Sequence, residues 1–212
     1  MASPLSIFRT LFLAVSLCAI GSVLALPQSA PENGPGLTPS QLIKAAETGE
    51  IRVVPGPGLP SLESLNLTSR DLAVRALERI ERLQEVAEDS KKLSNLTKRY
   101  TPTCETSPNL NGGLGFLCYE YLHSIGNTIC AVPATGSRFC HTTGGSPDVA
   151  WRGRVNWAFY AESSCANVAE GGLWVLNECR SYWWAAPAWY ALHPGTHAAL
   201  GNDNLVVEIG PL

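Results

Sequence analysis

The placement of the cysteines constrains the fold of this chain more than any other feature. The 212-residue sequence has seven cysteines, and six of them lie within residues 100–212. These six are Cys104, Cys118, Cys130, Cys140, Cys165 and Cys179. An even number of cysteines in a small domain predicts three disulfides formed in an oxidising compartment. The seventh, Cys18, lies in an N-terminal segment with a different role.

That N-terminal segment, residues 1–25, has the pattern of a signal peptide. Arg9 precedes an apolar run over residues 11–20, and Val23-Leu24-Ala25 supplies the small residues expected before cleavage after Ala25. The apolar run is shorter than the roughly 20 residues of a transmembrane helix, and no later segment is long enough, so no membrane span is predicted. We therefore expect a secreted, extracellular protein.

The pair Lys98-Arg99 divides the rest of the chain into two parts of opposite composition. Residues 26–99 carry ten basic and ten acidic residues and no tryptophan or cysteine, whereas residues 100–212 hold all six tryptophans. This boundary predicts cleavage after Arg99, which separates a pro-segment, residues 26–99, from a mature domain rich in cysteine and tryptophan, residues 100–212. The alternative is a basic pair that merely ends a solvated helix.

The pro-segment is predicted to contain an amphipathic helix from about residue 69 to about residue 93. Leu72, Ala76, Ile80 and Leu83 recur at helical spacing and form an apolar stripe. That stripe either packs on the mature domain, pairs with another copy of the chain, or belongs to a marginal helix in a disposable spacer.

The rest of the pro-segment is dominated by turn residues. Residues 27–39 and 54–60 are rich in proline and glycine and are expected to be flexible connectors around a short helix at residues 40–48. Asn66 and Asn95 each begin an Asn-Leu-Thr triplet, and no such triplet follows residue 100. They predict N-glycosylation of the piece that is later discarded.

In the mature region the clearest element is a helix from about residue 165 to about residue 179. Cys165 and Cys179 lie at its ends, roughly 21 Å apart along an α-helix. Bridged cysteines have Cα atoms within about 7 Å of each other. Each helix cysteine must therefore pair with one of the other four, and the remaining two pair with each other.

The remaining pattern favours short antiparallel strands. Strands are expected at residues 128–132 and 137–141, and they form a hairpin around Pro133-Ala134-Thr135-Gly136. A third strand is expected at residues 149–160, with its odd-numbered aromatic residues facing inward. Two more are expected at residues 183–192 and 205–209. A second, shorter helix is expected at residues 119–125. The predicted fold class is α+β: a small disulfide-stapled sandwich of an antiparallel sheet with one or two helices, preceded by a helical pro-segment.

The end of the mature region carries an ordered set of motifs. The cysteine-tethered helix is followed by Ala199-Leu200-Gly201-Asn202 and a final strand. Together with Leu114-Gly115 and Cys118, this pattern over residues 114–209 resembles KP4-type killer toxins and related Ecp2-like secreted fungal cysteine-rich effectors. The resemblance implies a compact α/β sandwich that is secreted to act on, or be recognised by, another cell.

The sequence has no evident catalytic constellation. Glu120, Glu162 and Glu170 are candidates for the paired carboxylates of a glycosidase, which must stand at a fixed separation that the sequence does not give. His193 and His197 have the spacing of a helical zinc motif, but Pro194-Gly195 between them favours a loop. No catalytic residue, metal or cofactor is predicted.

A cluster of aromatic residues is the candidate binding feature. It consists of Trp183, Trp184, Trp189 and Tyr190. Neighbouring side chains in a strand face opposite ways, so either Trp183 or Trp184 is exposed to stack on a sugar or anchor an interface, or the strand is covered on both faces.

Charge limits the partners. Residues 100–212 have four arginines, no lysine and a formal charge of −4, which gives no support for a nucleic-acid partner. The leading hypothesis is a secreted, non-catalytic effector or killer-toxin-like protein whose partner is an unknown protein or glycan at a cell surface. The alternatives are a carbohydrate- or cell-wall-binding protein that uses exposed tryptophans, and a small secreted hydrolase.

Overall fold

The chain combines helices with antiparallel strands, as the sequence predicts. The structure is a computed structural model that describes residues 37–86, 100–182 and 190–212. The helices are α1 Pro39–Thr48, a 3-10 turn Glu63–Leu65, α2 Ser69–Val86, α3 Gly112–Ser124 and α4 Cys165–Glu178. The strands are β1 Arg52–Pro55, β2 Thr103–Cys104, β3 Leu110–Asn111, β4 Ile129–Pro133, β5 Ser137–Thr143, β6 Val149–Val155, β7 Tyr160–Ser164, β8 Arg180–Tyr182, β9 Tyr190–Leu192, β10 Gly195–Ala199 and β11 Asn202–Pro211. The fold class is α+β, as predicted.

The strands form one large sheet and two small ones. The large sheet has the order β1-β5-β6-β11-β10-β2, and every neighbouring pair is antiparallel. The small sheets are β3-β9-β8 and the pair β4-β7. Helices α3 and α4 pack together and contact the large sheet, α3 at β5 and β6 and α4 at β10 and β11. The domain after Tyr100 is thus a sandwich of antiparallel sheet and two helices.

The core is centred on Trp151 of β6, which is fully buried. Its indole Nε1 donates a hydrogen bond of 3.2 Å to the Gly115 carbonyl of α3. Gly172 of α4 leaves room for the ring, because a Cβ at that position would lie 2.0 Å from Trp151 Cζ3. The large sheet and both helices are therefore fixed to one tryptophan.

Helix α3 is longer than the sequence predicts, since it begins at Gly112 and not near residue 119. Its first turn contains glycines, which have low intrinsic helix propensity. Tertiary packing overrides that preference: a Cβ on Gly115 would lie 2.7 Å from Leu176 Cδ2 of α4. The Asn111 side chain also caps the helix by accepting a 2.9 Å hydrogen bond from Gly113 N.

The predicted hairpin of β4 and β5 is wrong. The turn between them forms, with Gly136 N donating to the Pro133 carbonyl at 2.8 Å, but β4 pairs with β7 and β5 pairs with β1 and β6. Strand β4 instead lies over the large sheet, and a Cβ on Gly153 would meet Val132 Cγ2 at 2.5 Å. The missing side chain at Gly153 lets the two sheets stack.

Three further expectations are corrected. The strand expected at residues 149–160 ends at Val155 and a second strand starts at Tyr160. The region expected to be a loop around Pro194 contains β10, which pairs with β11. The flexible connector expected at residues 54–60 includes the end of β1. This segment is ordered there because it pairs with β5 and forms the edge strand of the large sheet.

The N-terminal helices agree with the sequence pattern. Helix α1 begins after Thr38, whose side chain caps it with Gln41 in a capping box. In α2 the predicted stripe is buried at Leu72, Ala76 and Ile80. This stripe packs on α3 of the following domain, which was the first of the three alternatives.

The six cysteines form three disulfides. They are Cys104–Cys179, Cys118–Cys140 and Cys130–Cys165. Helix α4 is bridged at both ends to different partners, as its length required.

Several predicted features lie outside the described residues. These are the signal peptide with Ala25, the second triplet at Asn95, the dibasic pair Lys98-Arg99, and Trp183, Trp184 and Trp189 of the aromatic cluster. For Tyr190 only the backbone is described, as the first residue of β9. Among the helices of the described ranges, none is both long and apolar enough to cross a membrane.

Candidate functional site

Three exposed aromatic residues lie between the end of β6 and the first residue of β7. Trp157 and Phe159 are each 91% exposed, and Tyr160 is 54% exposed. We call these three residues the aromatic tip. Large aromatic side chains usually bury most of their surface, so three exposed rings within four residues form a surface that suits an external ligand.

Trp157 and Phe159 were predicted to face the core, and that prediction is wrong. Alternation with Trp151 places them inward only if the strand continues, but Trp157 has φ 119°, which no regular strand contains. Asn156 stops the strand: its backbone N donates to the Asn204 carbonyl at 2.9 Å and its Nδ2 to the Asp203 carbonyl at 3.3 Å. An asparagine inside an apparent strand is the sequence signal that favours such a break.

Further hydrogen bonds join the base of the tip to the first residues of β11. Asn202 Nδ2 donates to the Glu162 carbonyl of β7 at 2.8 Å, and its Oδ1 accepts from Asn204 N at 3.0 Å. The start of β11 is thus hydrogen-bonded to Asn156 on one side of the tip and to Glu162 on the other. This arrangement holds the base of the tip in place while its rings remain exposed.

A pocket of about 380 Å³ lies between the start of the tip and the residues that begin β11. Its lining is Asn156, Trp157, Gly201, Asn202, Asp203 and Asn204. It therefore combines one indole face with three amides and a carboxylate, groups that offer both hydrogen-bond donors and acceptors. Such a mixture suits a ligand with an apolar face and many hydroxyl groups.

Tyr160 of the aromatic tip adds a further polar group next to the pocket. Its hydroxyl donates to Glu162 Oε2 at 2.6 Å. That hydrogen bond to a carboxylate raises the pKa of Tyr160, so the hydroxyl remains protonated and neutral at physiological pH.

The three candidate glutamates do not converge on one cleft. Glu120 of α3 is only 4% exposed and forms an ion pair with Arg79 of α2. Glu170 of α4 accepts a 3.0 Å hydrogen bond from the Tyr119 hydroxyl, while Glu162 is on β7 beside the aromatic tip. Only Glu120 and Glu170 approach a common residue, Tyr119, and Glu120 is already neutralised by Arg79.

Of the two histidines, His193 lies in the predicted loop, in the short connection between β9 and β10, whereas His197 lies in a strand. His197 is on β10, and its ring packs at a tilt of 32° against Trp174 of α4, with 4.9 Å between ring centroids. His193 precedes the strand and donates its backbone N–H to the Cys179 carbonyl at 2.7 Å. Within the described part of the chain, no three His, Cys, Asp or Glu side chains are grouped as metal ligands.

Comparison with known proteins assigns the chain to a family. The model of a domain of unknown function, DUF8794, matches residues 102–210, just over half of the chain. The protein belongs to the DUF8794 family. No curated protein and no solved structure matches it.

The DUF8794 match covers all three disulfides, the aromatic tip and the pocket. It begins three residues after Arg99. Helices α1 and α2 and strand β1 therefore lie outside the family domain, although β1 is part of its large sheet.

Proposed function

We propose that this DUF8794 protein is a secreted, non-catalytic protein that acts at the surface of another cell and binds neutral polysaccharide through its aromatic tip. The observation that carries the proposal is the 91% exposure of Trp157 and Phe159 beside a pocket lined by amides and a carboxylate. The predicted aromatic cluster with Trp183 and Trp184 lies outside the described residues, and the aromatic tip is a second candidate sugar-binding surface beside it.

The chemical groups of the aromatic tip and the pocket match those of a sugar ring. The C–H bonds on one face of a pyranose ring carry partial positive charge and pack on the negative face of an aromatic ring. Its hydroxyls then reach neighbouring amide and carboxylate groups, as at Asn202, Asp203 and Asn204. Strained backbone such as that of Trp157 occurs preferentially at functional sites, because the surrounding structure must hold it there.

Features of the sequence support secretion and processing. The apolar leader ending at Ala25, the three disulfides and the acceptor at Asn66 all fit the secretory route. Asn66 is exposed at the end of the 3-10 turn, with φ 51°. Cleavage after Arg99 makes Tyr100 the new N-terminus, which intact-mass measurement of the secreted protein checks directly.

The effector hypothesis supplies the biological setting. The resemblance of residues 114–209 to KP4-type killer toxins and Ecp2-like effectors includes Gly201 and Asn202, which line the pocket. A polysaccharide at a cell surface then serves as the docking ligand for such a protein. The hydrolase alternative gains no support, because Glu120 is buried against Arg79.

A binding assay on insoluble polysaccharide tests the proposal. Full-length secreted protein is mixed with chitin and with β-glucan, and the fraction left in solution is measured against polysaccharide concentration. We expect binding to one of the two, and Trp157→Ala and Phe159→Ala to weaken it at least about tenfold, as expected when an anchoring aromatic is removed.

Ile129→Ala is the matched control. Ile129 is also exposed, at 52%, but lies at the far end of β4, opposite Ser164. Its replacement should leave binding unchanged. Equal loss in all three variants, or no binding of the unmodified protein to either polysaccharide, contradicts the assignment.

A further inference from the structure

The N-terminal segment, residues 37–86, is joined to the family domain by a backbone ladder. Strand β1 pairs with β5 over four residues, from Arg52 opposite Thr143 to Pro55 opposite Cys140. The ladder continues beyond the strand, with Gly56 N donating to the Phe139 carbonyl at 2.8 Å. Without this segment, β5 would be an open edge strand.

The backbones meet at distances that only glycine allows. A Cβ on Gly56 would lie 1.8 Å from the Arg138 carbonyl oxygen, and one on Gly144 would lie 2.1 Å from the Glu50 carbonyl oxygen. Such close contact at both ends of β1 is typical of a complementary interface and not of a spacer resting on a surface.

Helix α2 adds an apolar and an ionic contact to α3. Leu72, Ala73 and Ala76 are fully buried in the packed core. Arg79 forms an ion pair with the buried Glu120, and its guanidinium lies 4.5 Å from the centroid of the Tyr119 ring. Burial by itself lowers the pKa of Arg79, but the hydrogen bond and charge of Glu120 outweigh that effect and raise it.

A hydrogen bond joins the segment to the domain at a third place. The Tyr121 hydroxyl donates to the Pro60 carbonyl at 2.7 Å, and Tyr121 is fully buried. Burial raises the pKa of Tyr121 to about 12, so the donor is protonated at every physiological pH.

No disulfide crosses this interface. Residues 26–99 have no cysteine, and all three bridges join residues of the family domain. After a cut at Arg99, the two pieces would be held together by the contacts above and by nothing covalent.

We propose that processing after Arg99 yields a two-chain protein, in which residues 26–99 stay bound to residues 100–212 through β1 and α2. The inference rests on the cleavage included in the proposed function. The partner of the β5 edge and the α3 face is then this protein's own N-terminal chain.

Controlled cleavage tests the proposal. Full-length protein is cut with an endoprotease specific for dibasic sites, and a second preparation carries an inserted site-specific protease sequence between Ser94 and Asn95. The second preparation provides the cut even where Lys98-Arg99 resists, so the result does not depend on natural processing or on glycan binding. We expect both fragments to co-elute in size-exclusion chromatography and to appear as a 1:1 complex in native mass spectrometry.

Two arginines of α2 give a matched pair of variants. Arg79→Ala leaves Glu120 buried without its counter-charge, and we expect the cut fragments to dissociate at least about 30-fold faster. Arg82→Ala removes the same charge from an exposed position one turn later, and dissociation should change less than about twofold. If Arg79→Ala fails to fold, Arg75→Ala replaces it in the experiment, because it removes a 3.1 Å hydrogen bond to Ser124 of α3. Its effect on the dissociation rate should lie between those of Arg79→Ala and Arg82→Ala.

The proposal is overturned if the cut fragments of the unmodified protein separate at micromolar concentration under native conditions. It is also overturned if Arg79→Ala and Arg82→Ala change the dissociation rate equally, because the ion pair would then contribute nothing to the association.

Discussion

At the residue scale, two glycines on different helices contact Trp151 in different ways. Gly172 of α4 leaves space for its ring, and Gly115 of α3 supplies the carbonyl that accepts a hydrogen bond from its Nε1. Neither role is visible in the sequence, where glycines inside a helix argue against helix formation. Helix α4 was predicted correctly despite Gly171 and Gly172, because its apolar residues recur on one face and Ser164 caps it. The first half of α3 is buried on every side and shows no such one-sided pattern.

His141 of β5 gives a residue-scale prediction about pH. It is 8% exposed and lies opposite Val54 of β1. Burial, together with the nearby charge of Arg138, lowers the pKa of His141, and the carboxylate of Asp148 opposes this only in part. A histidine with a lowered pKa in the folded state takes up a proton more readily when unfolded. Stability is therefore complete above about pH 6.5 and falls below it, by at most about 1.4 kcal/mol per pH unit.

Urea denaturation of the full-length protein at pH 7 and at pH 5 measures this effect. His141→Gln should remove part of the acid-induced loss, whereas His123→Gln, at an exposed position on α3, should not. If the two variants lose the same free energy of unfolding as the unmodified protein between these pH values, the charge on His141 is not the cause.

At the element scale, periodicity predicted helices better than it predicted strand partners. The helical stripes of α2 and α4 depend on spacing within one segment, so the sequence alone reveals them. The pairing of β4 with β7, and of β5 with β1, depends on residues far apart in the chain, such as Gly153 beneath Val132. The aromatic tip was missed for the same reason, because contacts with the distant Asp203 and Asn204 end the strand before Trp157.

The bridge at the C-terminal end of α4 gives an element-scale prediction. Cys104–Cys179 closes the longest loop of the three, with a sequence separation of 75. Replacing both cysteines with alanine should lower the free energy of unfolding by about 4 kcal/mol, because the unfolded chain regains the entropy that the bridge removed. Chemical denaturation under non-reducing conditions measures the change.

The control for that experiment replaces the neighbouring residues Glu105 and Glu178 with alanine. Both are exposed, and the pair should cost less than about 1 kcal/mol. An equal effect of the two double variants would show that packing of Val175 and Gly195 around the bridge, and not the bridge itself, holds this end of the helix.

At the scale of the whole molecule, the family domain and the segment that precedes it share one sheet. Residues 37–86 contribute a strand to the large sheet and two helices to the core, yet the DUF8794 match begins only at residue 102. The composition break at Lys98-Arg99 lies just before the residue at which the match begins. The sequence did not indicate that β1 pairs with β5 on the other side of that boundary. A four-residue strand followed by Gly56 and Pro57 has the composition of a connector.

The last prediction follows from that shared sheet. A chain of residues 100–212 produced alone has an unpaired β5 edge, an uncovered α3 face and a buried carboxylate at Glu120 without Arg79. We expect it to refold from the reduced state in lower yield than the full-length protein and to form oligomers, because open edges and exposed apolar faces favour association. Adding a separate chain of residues 26–99 during refolding should restore monomeric 1:1 complexes, measured by light scattering and by mapping of the three disulfides. The opposite outcome is that residues 100–212 alone refold in full yield as a monomer with all three native disulfides. The domain would then fold without its N-terminal partner, and the large sheet would be stable without β1.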